Sequence, residues 1–318
     1  MDAGDLAVFM AVARSGAITK AAQVLNTVQS NVTQRIRLLE DELGVKLFHR
    51  HSRGVTLTSA GQQLLPYAER IAGLIGEAKQ ATADGQEPRG RIVVGALESA
   101  TAVRLPPILA SYAAAHPQVD IEVQTGTTAE LTKAVIGRQL EAAFVAGPVD
   151  HPELVVEPLL DEELVAVTAP GIAGLAQLTA RPGAAERLKL IVFRPGCSYR
   201  TRLEALLAAH GLVDVRRLEF GTLDGIIGCV GAGMGVTLLP RSVVARAAAE
   251  GRVALHAIDA DAARVTTMLI RRRDAFVSTA LQRFFAIART ALAPARAAVP
   301  VPAKPAARRR RLALAREA

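Results

Sequence analysis

Along the first sixty residues apolar positions recur with helical spacing. Leu6, Phe9, Met10 and Ala13 form one stripe over residues 5–14, and Ser15-Gly16 turns the chain out of it. Ala21, Ala22 and Leu25 mark a short helix of small residues suited to close approach, which Asn26-Thr27 breaks. Val28, Val32, Ile36 and Leu39 then fall at i, i+4, i+8 and i+11, which predicts one inward face. Gln29, Ser30, Asn31, Thr33, Gln34 and Arg37 stand on the others. Gly44 ends this helix. Residues 45–48 and 55–57 read as two short strands, joined by a hairpin that carries Arg50, His51 and Arg53.

Thr58 is a good N-cap for a long helix reaching about residue 83, with Leu64, Ala68, Ile71, Ile75 and Ala78 as its seam. A helix so long and one-sided suits contact with the same helix of a second copy; packing on its own domain is the alternative. The polar, Gly- and Pro-containing stretch 84–91 (DGQEPRGR) reads as a linker. From Ile92 onward the pattern changes. IVVGAL, DIEVQTG, AAFVAG, ELVAVTA, KLIVF, RLEFG and GVTLLP read as strands, with two more near residues 253–257 and 265–270. Helical runs lie between them at 105–115, 131–140, 198–210 and 223–230. This alternation predicts α/β units with mostly parallel sheets, long enough for two small lobes.

The outer face of the helix from Gln29 offers amide, hydroxyl and guanidinium groups, the chemistry that pairs with base edges and phosphates. The start of a second helix is what a helix-turn-helix inserts into the major groove. A basic hairpin tip beside it suits the phosphate backbone. The chain of 318 residues has a formal net charge of +8, but its location decides what that means. Residues 1–90 hold 10 basic against 9 acidic side chains, 91–288 are balanced, and 289–318 hold 8 against 1. A DNA reading therefore rests on where Lys20, Arg35, Arg37, Lys46, Arg50 and Arg53 are placed. Residues from about 290, rich in Ala, Pro and Arg, read as a disordered basic tail, either solvated or a DNA tether through Arg308 to Arg311.

The opening residues carry early acids and no basic n-region, so no secretory signal is expected, and no apolar run reaches membrane-spanning length. Two cysteines, Cys197 and Cys229, predict neither a disulfide framework nor a zinc site. Six scattered histidines without ligand spacing, and a Gly-rich VGAGMGV that precedes a strand rather than opening a helix, argue against an enzyme. No metal or cofactor is expected.

The stretch LNTVQSNVTQRIRLLEDELGVKLFHRHSRGVTLTSAG resembles the signature of LysR-type transcriptional regulators, and the likeness continues to about residue 290. Ser30 stands where Pro is usual in that family and Gln34 where Arg is usual, so base preference does not carry over. FRPGCSYR and EFGTLDGIIGCVGAGMGVTLLPR are similar to a YofA-like effector-domain subgroup. The resemblance implies an α/β protein with an N-terminal all-α winged helix-turn-helix and two Rossmann-like lobes of the periplasmic-binding-protein type (type 2). The expected parts are a DNA-binding head at 1–58, a dimerisation helix and hinge at 59–90, and effector lobes over 91–290, followed by the tail at 291–318. Lobe I takes about 91–162 and 267–290, lobe II about 163–266, with crossings near 163–168 and 266–270. It also implies a bacterial cytoplasmic regulator that binds an interrupted palindrome in duplex promoter DNA as a homodimer or homotetramer, with RNA polymerase a possible further partner. The candidate DNA contacts are Thr19, Lys20, Gln29, Ser30, Asn31, Thr33, Gln34, Arg37, Arg50 and Arg53.

Four loops that follow strands and open helices are candidates for an effector seat: ALESAT at 96–101, Gly126-Thr127-Thr128, RPGCSY at 194–199, and 221–224. The candidate residues are Glu98, Ser99, Thr101, Thr127, Thr128, Arg194, Cys197, Ser198 and Thr222. Hydroxyls at helix starts suit a carboxylate, which predicts a small anionic effector, although each taken singly reads equally as an N-cap. Arg200 and Arg202 add charge, available to such an anion or to Glu98 or Asp224. Two further readings stay open: a redox switch through Cys197 and Cys229, and an architectural DNA binder without a cleft.

Overall fold

The computed structural model describes residues 1–52, 54–179 and 187–293. Arg53 and the basic tail, both singled out above, lie outside the described residues apart from the tail's first positions. The chain opens with α1 (Ala3–Ser15), α2 (Ile18–Val24) and α3 (Gln29–Leu43), a short hairpin of β1 (Phe48–His51) and β2 (Gly54–Leu57), and α4 (Ser59–Ala83). Asp2 caps α1 through a capping box with Asp5. Leu6, Val8, Phe9 and Val12 bury its inner face, with Met10 and Ala13 only partly covered. These meet Ala21, Ala22, Val32, Ile36, Leu39, Leu47, Phe48, Val55 and Ala68 in one small core.

Val28 departs from its expected place in that core. It is the residue before the first turn of α3, with extended backbone, and its side chain is 65% exposed. The inward stripe therefore starts at Val32. The hairpin strands begin three residues later than expected on one side, because Leu47 is spent on the core and on a backbone bond from Thr58. Gly54 sits at φ +136, where any Cβ would run into the Gly16 carbonyl; Val55 N–H donates to that same oxygen at 2.9 Å. The hairpin is thus pinned to the α1–α2 turn. Thr58 caps α4 as expected, accepting from Gly61 N–H at 3.1 Å.

The second and larger core is built on β3 (Gly90–Ala96), α5 (Glu98–Val103), α6 (Leu105–Ala115), β4 (Val119–Thr125), α7 (Thr128–Ile136) and β5 (Ala142–Ala146). Next come β6 (Leu154–Thr168), α8 (Leu175–Thr179), β7 (Lys189–Phe193), α9 (Ser198–Ala209), β8 (Arg216–Phe220) and α10 (Leu223–Gly231). The chain continues through β9 (Thr237–Pro240), α11 (Arg241–Ala249), β10 (Ala254–His256), α12 (Ala260–Ala263), β11 (Arg264–Arg272) and α13 (Thr279–Leu292). β3 pairs in parallel with β4 and β5, and β7 with β8.

The expectation of mostly parallel sheets needs correcting. The long strand β6 is antiparallel to β11, β9 and β10, and β11 is antiparallel to β5. β6 and β11 are the two chain crossings, and they run side by side from Arg264 against Glu163 to Arg272 against Leu154. A strand carried from one lobe to the other must meet its returning partner head to tail, so antiparallel pairing follows from crossing twice. The result is a two-lobed α/β body joined by a two-stranded ribbon.

Candidate functional site

On α3 the buried positions are Val32, Ile36, Leu39 and Glu40. Gln29, Ser30, Asn31, Gln34 and Arg37 are exposed, Thr33 is half-buried, and Thr19 and Lys20 are exposed on the neighbouring α2. Thr19 Oγ1 donates to Gln29 Oε1 at 3.3 Å, and Asn31 Nδ2 donates to Thr27 Oγ1 at 2.9 Å. These bonds orient two amides at the start of the helix while their remaining polar atoms face outward. Arg50 is exposed on β1. Eight of the ten expected contacts thus present an accessible polar side chain, Thr33 is partly covered, and Arg53 lies outside the described residues.

Two cations named for charge placement have other employment. Arg35 donates through Nε to Asp5 at 2.9 Å and through Nη2 to Asp2 at 3.1 Å, which fastens α3 to α1. Lys46 Nζ donates to Glu40 Oε2 at 2.9 Å. Glu40 itself has no counterpart in the sequence expectations. It is buried, and its Oε1 accepts from the backbone N–H of Leu47 at 2.9 Å and of Phe48 at 3.4 Å. Burial pushes this carboxyl up, but the Lys46 ammonium and the two N–H groups outweigh it and the net shift is downward.

The four loops of the body converge on a small cavity of about 40 Å3. Glu98, Ser99, Thr127, Arg194 and Cys197 line it, together with backbone around Gly126 and Gly221. Thr101, Thr128, Ser198 and Thr222 do not. Thr101 Oγ1 donates back to Leu97 O at 3.0 Å, and Thr222 is the N-cap of α10, accepting from Gly225 N–H at 3.3 Å. Thr127 lines the cavity and caps as well, in a capping box with Glu130.

The residue that closes the cavity is Tyr199, which the sequence expectations omitted. It is buried, and its hydroxyl shares a 3.1 Å hydrogen bond with Ser99 Oγ across the gap between lobes. Burial raises the phenol far above its usual range, so the neutral hydroxyl is the form that pairs. Two more contacts cross the gap: Ala129 N–H donates to Gly196 O at 3.3 Å, and Arg194 donates to Glu130 at 3.4 Å. Gly196 has φ +90, and a Cβ there would stand 2.9 Å from Ala129 Cβ and 3.0 Å from Thr127 Oγ1. Only glycine permits this approach. The lobes are in contact, and Tyr199 fills the space between them.

Charge at this cavity is sparse. Arg194, paired with Glu130 at 3.4 Å, is the cation on its wall, and Glu98 is a carboxylate on the same lining. Arg200 is committed to Glu204 at 3.2 Å and Glu219 at 2.6 Å, and Arg202 donates to the carbonyls of Arg264 and Gly147. Neither pairs with Glu98 or Asp224. Burial pushes the Cys197 thiol up, against the pull of nearby backbone N–H groups, which disfavours the reactive thiolate. Among the described residues no group of three or more His, Cys, Asp or Glu is placed to hold a metal.

The chain is similar along most of its length to known proteins. Residues 4–62 match the family model described as bacterial regulatory helix-turn-helix protein, lysR family, and residues 85–293 match the LysR substrate binding domain. The HTH-type transcriptional regulator GltR of Bacillus subtilis (strain 168) is 44% identical over 282 residues, covering 88% of this chain and 93% of its own. The uncharacterized HTH-type transcriptional regulator YusT of the same organism is 44% identical over 284 residues, covering 89% and 94%. Among solved structures, full-length CbnR complexed with its target DNA aligns with a TM-score of 0.64 at 24% identity, covering 92% of this chain and 100% of that one, a likeness of fold.

Proposed function

Because the chain belongs to the LysR family of bacterial transcriptional regulators, we propose that the outer face of α3 reads promoter DNA while the cavity under Tyr199 senses a small anion, the two acting as one switch. The observation that carries the reading is the division of α3. Its inner face is fixed by Val32, Ile36 and Leu39, and Gln29, Ser30, Asn31, Gln34 and Arg37 are exposed on the outer one. In this reading Thr19, Lys20 and Arg50 hold phosphates on either side, with Arg53 and Thr33 in support. Two heads, paired through α4, meet two half-sites of an interrupted palindrome in adjacent turns of the major groove. The working form is a homodimer or a tetramer built from it, in the cytoplasm, with RNA polymerase a further partner and no catalytic step of its own. No described helix is long and apolar enough to cross a membrane.

Gln29→Ala and Arg50→Ala separate the two kinds of contact. Gln29→Ala weakens specific DNA binding more than random-sequence binding, by about 1–3 kcal/mol for a lost bidentate base contact. Arg50→Ala weakens both alike and makes the salt dependence shallower. Binding isotherms on both duplexes over a salt series check this; equal losses for both variants on both duplexes remove the assignment.

The effector is a compact anion, because the closed cavity is small and Ser99, Thr127 and Arg194 offer donors from two sides. A ligand that prefers one lobe angle shifts the population of that state and with it the spacing of the heads. A thermal-shift series of small carboxylates against matched amides tests the charge, the anions alone being expected to raise Tm. The buried Cys197 thiol does not favour a redox switch, and an architectural role makes no use of the cavity.

A further inference from the structure

Two aliphatic side chains of the DNA-binding head stand in solvent. Val24, the last residue of α2, is 73% exposed, and Val28, the residue before α3, is 65% exposed. Neither packs with the described core of the head.

Val28 is the odder of the two. It occupies the N-cap of α3 with extended backbone, φ −93 and ψ 151, and offers no side-chain acceptor to the N–H groups of the first turn. At the same position of other helices Asp2, Thr58, Thr127, Thr222 and Ser278 each accept from the third helical residue. Valine is among the poorest N-caps and serine among the best. An exposed aliphatic group where a hydroxyl would stabilise the helix is a local loss twice over, and such losses concentrate at functional positions.

The neighbours of Val28 show what it is placed to touch. Gln29 follows it directly, with its Oε1 held by Thr19, and Asn31 lies in the same turn with its Nδ2 on Thr27. Residues that open the second helix of a helix-turn-helix are the ones that reach base edges in the major groove. Those edges are donors and acceptors with one apolar feature, the 5-methyl group of thymine, which aliphatic side chains recognise. The amides and hydroxyls that begin α3 have nothing to match that methyl. Val28 does.

We propose that Val28 is a specificity residue that reads thymine, its γ-methyl groups covering the 5-methyl of one thymine in each half-site beside the base contacted by Gln29. The proposal rests on the assignment of α3 as the DNA-reading helix. Contact with the methyl removes from water the surface that Val28 exposes in the free protein. Val24 has the same side chain and a similar exposure but ends the first helix of the pair, which crosses the phosphate backbone, and so provides the control.

The probe is a duplex enriched from a random-sequence pool by the full natural chain. Each thymine of one half-site is replaced in turn by deoxyuridine, which removes the 5-methyl alone. One replacement is expected to weaken binding about fourfold, the worth of one buried methyl, and the others to change it little. Val28→Ser should bind the thymine and deoxyuridine forms at that position alike, with a raised Tm because its hydroxyl caps α3. Val24→Ser should keep the fourfold difference. The deoxyuridine series on the natural chain needs no variant and decides even where a variant does not fold. No responding thymine, a Val28→Ser chain that still tells the two forms apart, or a Val24→Ser chain that no longer does, overturns the proposal. Gln29→Ala separates this outcome from failure of the underlying assignment. If it loses preference for the enriched duplex while no thymine responds, α3 reads DNA without Val28; if the natural chain enriches no duplex, both fall.

Discussion

Glu40 shows how much a single side chain holds in the DNA-binding head. A buried carboxylate on the inner face of α3 satisfies two backbone donors where the chain enters the first wing strand, and one ammonium, so helix and hairpin share one anchor. Replacing it by Ala leaves the Leu47 and Phe48 N–H groups buried without an acceptor, and costs about 1–3 kcal/mol in urea unfolding at neutral pH. Its pKa is lowered in the fold, so its contribution is present above the ordinary carboxylate pKa and fades as pH falls through the folded value. Glu40→Ala should therefore lose less stability, relative to the natural chain, at low pH than at pH 7; an equal loss at both would contradict that. The outward amides of α3 were legible from spacing alone. Glu40 was not, because a polar residue on an apolar stripe discloses its partners only when the hairpin is folded against it, and Tyr199 was missed for the same reason, its partner lying 100 residues away.

At the scale of elements, α4 matches its expected bounds because cap, period and terminus are all local signals. Its seam divides in two. Ala68 is buried in the head, whereas Ile71, Leu74 and Ile75 are exposed in the single chain, Leu74 by 47%. Ile71→Asp with Ile75→Asp is expected to convert the dimer to monomers in light scattering and to reduce specific DNA affinity towards that of one head. An intact dimer would place the pairing surface elsewhere. The expectations omitted α8, α11, α12 and α13, although in α13 Leu281, Phe284, Phe285, Ala288 and Leu292 repeat with helical spacing and are all buried. The antiparallel pairing of β6 was beyond reach, since Leu154 to Thr168 meets partners from 70 to 118 residues on, and a strand's own pattern does not name its neighbour.

For the molecule as a whole, Glu141 gives the junction between α4 and lobe I its own dependence on pH. Its folded pKa is raised by burial, so the folded state binds the proton more tightly than the unfolded chain does. Its contribution is intact below the ordinary carboxylate value and is lost as pH rises through about 7. Unfolding of the natural chain and Glu141→Gln, compared between pH 5 and 8, should show the gap between them widening with pH in favour of Gln. The two-lobed plan was legible through family resemblance, not through periodicity, which reports strands and helices but not which lobe each joins.

The two crossing strands decide what each lobe is able to move. The chain enters the body through β3, and its last described helix is α13, both on lobe I, so lobe II is a cantilever held by β6 and β11 with no covalent path of its own to the DNA head. A paired ribbon bends across its face far more easily than it slides along its length, because sliding breaks every rung of the ladder at once. Any change in the set of lobe II therefore reaches the DNA head only by way of lobe I. A chain in which a tight turn replaces everything beyond the ribbon would still dock on its operator, and be deaf.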